Sequence, residues 1–416
     1  VFAIISNQTT YQWLFSIRSC GCLINRRIMN QGLIIRILYF LVFSCTASWL
    51  PVLADFGKSK NFSGNQIALL LSITPIMMFL VQPIYGSIAD KWGIKKMLQI
   101  SFLGTAVCFI GYQFTTGILS ILFSTTLMSF FYNGLQPFLD SLALQLEAKD
   151  KSFSYGSLRM AGAMGWSVTG IITGQVIEQI NIQSIFYISA ITMIIAFGMA
   201  FLLEKSGDNI NRIGNQTSLQ NIFQILKEVR MMKLLISVLI VSIAGTSIWN
   251  FYSLYMKENG ASAGLVGFGL SFQGLCEIPL FYLSAVIIRK YGINKVLVLT
   301  VLVTFIRLVL YSIVKIPRVA ISIELLHGIS WSLYWVVCIE MVNKLVPSKW
   351  IATGQSILYA VYFGIGAVLG NFWAGFLYDR GFSISNLFLL NAGVILVALP
   401  FIFQVNKSFK AAATLS

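Results

Sequence analysis

The sequence predicts an all-α polytopic membrane protein with twelve transmembrane helices in two six-helix halves. Three observations carry that reading. The first is composition: 416 residues, 57% hydrophobic and only 10% charged, with a mean hydropathy of +0.81. An ordinary soluble domain is about a quarter charged. The second is the spacing of twelve apolar segments, each close to the roughly 20 residues needed to cross a bilayer. The third is a weak echo between the two halves of the chain. This composition excludes a disordered chain and a nucleic-acid binder. A water-soluble enzyme does not fit either, because there is too little polar surface to cover a globule.

The apolar segments run over 32–54, 65–88, 97–115, 118–142, 156–177, 182–203, 233–256, 263–288, 296–315, 319–343, 352–376 and 383–405. In lipid a segment must satisfy its own backbone groups, so each is expected to be a helix. Pro75, Pro83, Pro137 and Pro279 fall inside these runs and are tolerated as local kinks. Basic residues cluster after the even-numbered spans, as in Lys91, Lys95, Lys96, Arg289, Lys290 and Lys295. The positive-inside rule then places both termini in the cytoplasm. It also explains a net charge of +15 without any acidic partner.

Residues 1–28 have an apolar start followed by Arg18, Arg26 and Arg27, the reverse of a signal peptide. Met29 is expected to be the natural start, and the extension is assigned no function. The N-terminal bundle is expected over 29–203. A polar cytoplasmic linker follows over 204–232, then the C-terminal bundle over 233–405 and a tail over 406–416. Asp90-Lys91-Trp92-Gly93-Ile94-Lys95-Lys96 after span two is echoed by Arg289-Lys290-Tyr291-Gly292-Ile293-Asn294-Lys295 after span eight. Such a repeat suits a transporter that rocks two bundles about a central site.

No cofactor or metal is expected. Cys20-Gly-Cys22 has no second ligand pair nearby, which makes a zinc site a weak reading. There is no phosphate-binding glycine loop, so an ion gradient is the expected driving force.

Ionisable residues inside spans usually line a pathway. Span four carries Asn133, Gln136, Pro137 and Asp140; span five carries Arg159, with Trp166 two turns further on. A carboxylate and a guanidinium can together bind hydroxyls or a carboxylate. They can equally form a static pair between helices. Trp166 offers a flat platform for a ring, or else faces lipid. Asn250, in the aromatic span seven, either touches the ligand or bonds another helix. Glu277, Arg307, Glu324 and His327 form a candidate proton network; Glu324 and His327 share a helix face. The bland alternative for His327 is a neutral ring bonded to a neighbouring helix.

Gly86-Ser-Ile-Ala-Asp90-Lys91-Trp92-Gly93-Ile94-Lys95-Lys96 resembles the signature of the major facilitator superfamily, between spans two and three. The resemblance makes Gly86, Asp90, Lys91, Gly93, Lys95 and Lys96 a conformational motif rather than a substrate site. From Met29 onward the chain resembles the oligosaccharide/nucleoside–proton symporters, the lactose-permease-like group, and the related phenylpropionate-permease-like branch. The residues that carry this are Pro137-Phe-Leu-Asp140, the run from Tyr155 to Trp166, Glu277, Arg307 and His327. It implies Asp140, Arg159 and Trp166 as substrate ligands, with Glu277 joining substrate and proton sites. Two positions depart: Ser330 stands where the family has a proton-carrying glutamate, and Glu324 where it has a lysine.

The expected function is therefore proton-coupled symport of a small polar solute, a sugar or oligosaccharide, by alternating access. Asn133, Asp140, Arg159, Trp166, Asn250 and Glu277 are the expected substrate residues. Glu277, Arg307, Glu324 and His327 are the expected proton-coupling residues. The alternatives are an importer of small aromatic carboxylates or nucleosides, a drug–proton antiporter, and a non-transporting membrane sensor. The expected partners are the solute, protons and the lipid bilayer, with no nucleic acid. The chain is expected to act as a monomer in a bacterial cytoplasmic membrane.

Overall fold

A computed structural model describes residues 31–150, 152–204, 219–347 and 350–413. The extension over 1–28 and residues 205–218 of the linker lie outside them. Helices account for nearly all of the described chain. The first half contains α1 (Gln31–Ser59), α2 (Gly64–Trp92), α3 (Ile94–Phe114), α4 (Ile118–Lys149), α5 (Tyr155–Gln179) and α6 (Ser184–Ala200). The second contains α7 (Val229–Glu258), α8 (Ala263–Tyr291), α9 (Ile293–Ile313), α10 (Pro317–Leu345), α11 (Thr353–Asp379) and α12 (Ile384–Val405). A short amphipathic helix, Leu219–Lys227, precedes α7.

Ten of the described helices are long and apolar enough to cross a membrane. The other two depart for different reasons. At 17 residues, α6 spans only about 25 Å. At 25 residues, α5 is long enough, but its glycines, serines and threonines face protein and lower its hydropathy. Most helices outrun the apolar segments that signalled them. Polar end residues continue the helix into the interface, where hydropathy no longer reports it.

Each half has its own aromatic centre. Trp49, Phe56, Phe109 and Phe186 are buried in the first; Tyr252, Tyr255, Tyr311 and Phe388 in the second. Phe123, Ile194, Tyr282 and Ile313 are among the many large side chains left exposed, as on a surface that faces lipid. Trp49 stays among rings, its centroid 5.9 Å from Phe109 and 5.6 Å from Tyr132.

The halves meet chiefly through two helix pairs, α5 with α8 and α2 with α11. Glycine makes both contacts possible. A Cβ on Gly174 would lie 2.6 Å from the Ala263 carbonyl oxygen, and one on Gly375 would collide with that of Gly64. Both crossings lie toward the end of the bundle away from the termini, called here the far end. Toward the terminal end, Leu135–Lys149 of α4 packs against α3 and α5, and Tyr334–Leu345 of α10 packs within the second half. The two bundles are thus joined at the far end.

Several helices break where they approach the centre. In α4 the helix stops after Tyr132 and restarts at Leu135. Pro137 falls in the first turn of the new segment, where its missing N–H goes unmissed. In α10 a tight turn over Ile323–Leu326 is followed by a wide, π-helical turn over Gly328–Leu333. Another π-helical stretch lies at Ala360–Gly366 in α11. Such wide turns often mark functional sites, and the first flanks His327.

The signature loop is a tight joint. Gly93 has φ +81° and its counterpart Gly292 φ +83°, a backbone region open to glycine and strained for other residues. Lys95 donates to the carbonyls of Phe201, at 2.8 Å, and Leu203, tying α3 to the end of α6. Lys96 lies 4.7 Å from the ring of Trp92, and Lys91 is exposed. Helix α2 runs through Gly86 and Asp90; the side chain of Asp90 lies outside the described residues.

Candidate functional site

Two polar groups face one another across the seam. In the first, Asp140 receives hydrogen bonds from Tyr39, at 2.6 Å, and Tyr155, at 3.1 Å, on the same carboxylate oxygen. Arg159 approaches that oxygen at 3.5 Å, both side chains keeping access to solvent at 33% and 24%. With its amide oxygen turned toward Arg159, Gln136 accepts from the guanidinium at 2.9 and 3.3 Å. Phe43 lies under the guanidinium, 5.1 Å from its carbon. Asp140 therefore keeps one oxygen free of these phenols, and the pair is placed to take a further ligand.

The second group lies within α8, α9 and α10 and is closed. Arg307 donates from Nη1 to His327 Nδ1 at 2.7 Å and to Ser330 Oγ at 3.3 Å, and from Nη2 to Tyr311 at 3.2 Å. Nη2 also pairs with Glu324, which accepts from the Tyr311 hydroxyl as well and from Gln273 at 3.1 Å. Glu324 and His327 are buried almost completely. His327 Nε2 lies 2.8 Å from Glu277 Oε1. A guanidinium only donates, so His327 must accept at Nδ1. Its one ring proton then sits on Nε2 and is donated to Glu277. The geometry requires a neutral imidazole.

Glu277 retains a side-chain exposure of 17% and lies within electrostatic reach of both Arg159 and Arg307. It is the point at which the two groups meet. Tyr359 of α11 is also within electrostatic reach of Arg159 and Asp140, so the second half contributes a phenol to the first group.

An aromatic wall joins them. Trp166 donates to the Leu270 carbonyl at 3.2 Å and meets Trp249 edge to face at 6.3 Å. Trp249 packs against His327 and Trp331, each at 5.1 Å. Trp331 stacks on Trp335 at 5.6 Å, and Trp335 meets Tyr359 at 4.9 Å.

Two residues expected at the substrate site have other partners. Asn133 donates to the Thr74 carbonyl at 3.1 Å, bracing the break in α4 against α2. Asn250 donates to Asn371 at 2.7 Å, and Asn371 reaches Ser72 at 3.5 Å. That is a polar ladder from α7 through α11 to α2, the helix-to-helix option for Asn250.

Sequence reasoning missed Tyr39, Tyr311, Gln273, Trp331, Trp335 and Tyr359, which carry no charge to draw attention. It also missed Asp55. That carboxylate, at the far end of α1, pairs with Lys257 of α7 at 2.8 Å and accepts from Ser253. The available signal was an acid directly after the first apolar run, at 55. Ser330, which the resemblance sets in the place of a glutamate, accepts from Arg307 through its hydroxyl at 3.3 Å. The acid that neutralises Arg307 is Glu324, six residues earlier on the same helix.

Residues 33–390 match the family model described as the MFS_1 like family. The chain belongs to that family. It is a multi-pass membrane transporter of the major facilitator superfamily and not an enzyme, and its bacterial relatives point to the cell membrane. An uncharacterized transporter, YwbF, of Bacillus subtilis is 25% identical over 86% of this chain and 89% of its own length. A maltose permease of Geobacillus stearothermophilus is 23% identical over 82% of this chain and 86% of its own. Among solved structures, a point mutant of the nucleoside transporter NupG superposes with a TM-score of 0.81 at 17% identity. That match covers 90% of this chain and 99% of NupG; at this identity it shows the fold. The facilitator fold expected from the signature loop and the six-plus-six echo is thereby borne out.

Proposed function

We propose that this transporter is a proton-coupled symporter of a small polyhydroxylated solute, a sugar or oligosaccharide. In this reading the terminal end of the bundle faces the cytoplasm, as the basic loops direct. The molecule, joined at the far end, then stands open to the inside. The observation that carries the reading is the position of Glu277: bonded to neutral His327, at the edge of the buried Arg307–Glu324 network, within reach of Arg159.

Coupling follows from that position. Ionised, Glu277 is an additional counter-charge for Arg159. Protonated, it releases Arg159 to Asp140 and to the solute. Hydroxyls then accept from the guanidinium and donate to the free oxygen of Asp140, while Trp166 or Trp249 offers a face to the ring. Solute binding and protonation favour one another, and linkage makes the effect reciprocal. The Arg307–Glu324 pair keeps His327 neutral and aimed at Glu277. The sugar assignment draws on the maltose permease relative and on the carboxylate–arginine pair.

A second reading takes a nucleoside or small aromatic carboxylate as solute. The aromatic wall of Trp166, Trp249, Trp331 and Trp335 favours it, since a planar ring can stack there.

The test is alkalinisation of lightly buffered, de-energised cells expressing the protein, on addition of maltose, lactose, melibiose, a nucleoside or phenylpropionate. Alkalinisation with one compound, lost in Asp140→Asn, would support symport and name the class. Labelled uptake of a compound without any pH change would remove the proton-coupled reading.

A further inference from the structure

Two carboxylates close the far end by capping helices of the opposite half. The helix beginning at Gly64 has Ser63 as its N-cap, and the one beginning at Ala263 has Ser262; each serine oxygen takes the N–H three residues on. The earlier N–H groups of each helix are left over, as at any helix start. In α2 they are taken by Asp379 at the end of α11, which binds the N–H of Gly64 and, at 2.9 Å, that of Asn65. In α8 the Gly264 N–H is taken by Glu178 at the end of α5, at 2.6 Å. Each acid comes from one half and caps the other. Gly264 stands 200 residues after Gly64 and Asp379 stands 201 after Glu178, so the arrangement is a pseudo-twofold pair.

Both contacts sit at the glycine crossings described above, and neither acid has a role in the solute or proton groups. A carboxylate beside a helix N-terminus is stabilising, and here the benefit exists only while the two halves touch. Opening the far end separates Glu178 from Gly264 and Asp379 from Gly64.

We propose that Glu178 and Asp379 are gating residues of the transport cycle, a matched pair of detachable caps that hold the far end shut. Neutralising either one shifts the population toward a conformation open at that end. The inference rests on transport by two rocking halves and on neither the sugar nor the proton reading, so it is testable without a known solute.

The experiment uses a buried reporter in the α5–α8 seam. Thr173 is 2% exposed and lies beside Gly174 and Gly267. The thiol of a Thr173→Cys variant is modified with a water-soluble maleimide on the purified full-length protein, and rates are read peptide by peptide by mass spectrometry. Ser271→Cys, 1% exposed across the seam, is the second reporter. Cys338, fully buried in the second half, is the internal measure of folding. Glu178→Gln and Asp379→Asn are each expected to raise the reporter rate about two- to fivefold, and together about tenfold, with Cys338 unchanged. Unchanged reporter rates in the double variant overturn the proposal. So does a matching rise at Cys338, which would mean loss of fold rather than a released gate.

Discussion

His327 donates its ring proton to Glu277 across 2.8 Å, from α10 to α8, and holds that proton on Nε2 because Arg307 occupies Nδ1. Glu277→Gln keeps an acceptor for this bond and removes the ionised state. Solute-dependent alkalinisation should therefore disappear, while exchange of labelled solute across the membrane stays within about threefold of wild type. Alkalinisation at the wild-type rate in this variant would remove Glu277 from proton coupling.

Arg307 and Glu324 form a buried pair, and breaking such a pair from one side leaves an uncompensated charge. Glu324→Gln should destabilise the protein by about 3–5 kcal/mol. Replacing both, as Arg307→Met with Glu324→Leu, should restore most of that stability while transport stays lost. Thermal unfolding in detergent measures both. A double variant as unstable as the single one would mean that packing, not charge, dominates there.

Arg159 meets Asp140 and Gln136 through more than one nitrogen, and lysine cannot reproduce that fork. Arg159→Lys should raise the half-saturation concentration for the solute by at least about tenfold, on the order of 1.4 kcal/mol or more. The maximal rate should fall less. An unchanged half-saturation in radiolabelled uptake would make the Asp140–Arg159 pair a static brace.

Asp55 and Lys257 join α1 to α7 at the far end. Asp55→Lys alone places two cations together and should cut uptake to a small fraction of wild type. Asp55→Lys with Lys257→Asp should recover a substantial part. Failure of the exchange to recover anything, with normal amounts of protein in the membrane, would assign the loss to Ser253 or to packing.

The fold was legible because its constraint is one-dimensional. A bilayer demands long apolar helices, and the run lengths report them directly. The charges of the candidate site were legible for a related reason, since Asp140, Arg159, Glu277, Arg307, Glu324 and His327 stand out against an apolar background. Their partners were not. Tyr39, Tyr311 and Tyr359 look like any membrane aromatic until helix rotation is known. Asn133 was expected as a ligand, and Asn250 as a ligand or a helix-to-helix bond; which neighbours their amides meet, Thr74 and Asn371, depends on helix rotation. Glu178 was hidden differently: near a span end it reads as an interfacial residue, and its partner is a backbone N–H in the other half.

The pairing of charges inside the bundle has an electrical consequence. Arg307 with Glu324, Arg159 with Asp140 and Lys257 with Asp55 each sum to zero, and His327 is neutral by its hydrogen bonding. Among the described charges of the two central groups, Glu277 is the one left without a cationic partner of its own, so in the proposed cycle its proton sets their charge. In the symport cycle proposed above, these groups would carry no net charge when Glu277 is protonated and a neutral solute is bound. Emptied and deprotonated, the carrier would return in that cycle with one negative charge, which an inside-negative voltage pushes outward. A full crossing of the field is worth about 2.3 kcal/mol per 100 mV. The membrane potential would then accelerate the return stroke and leave the loaded stroke untouched.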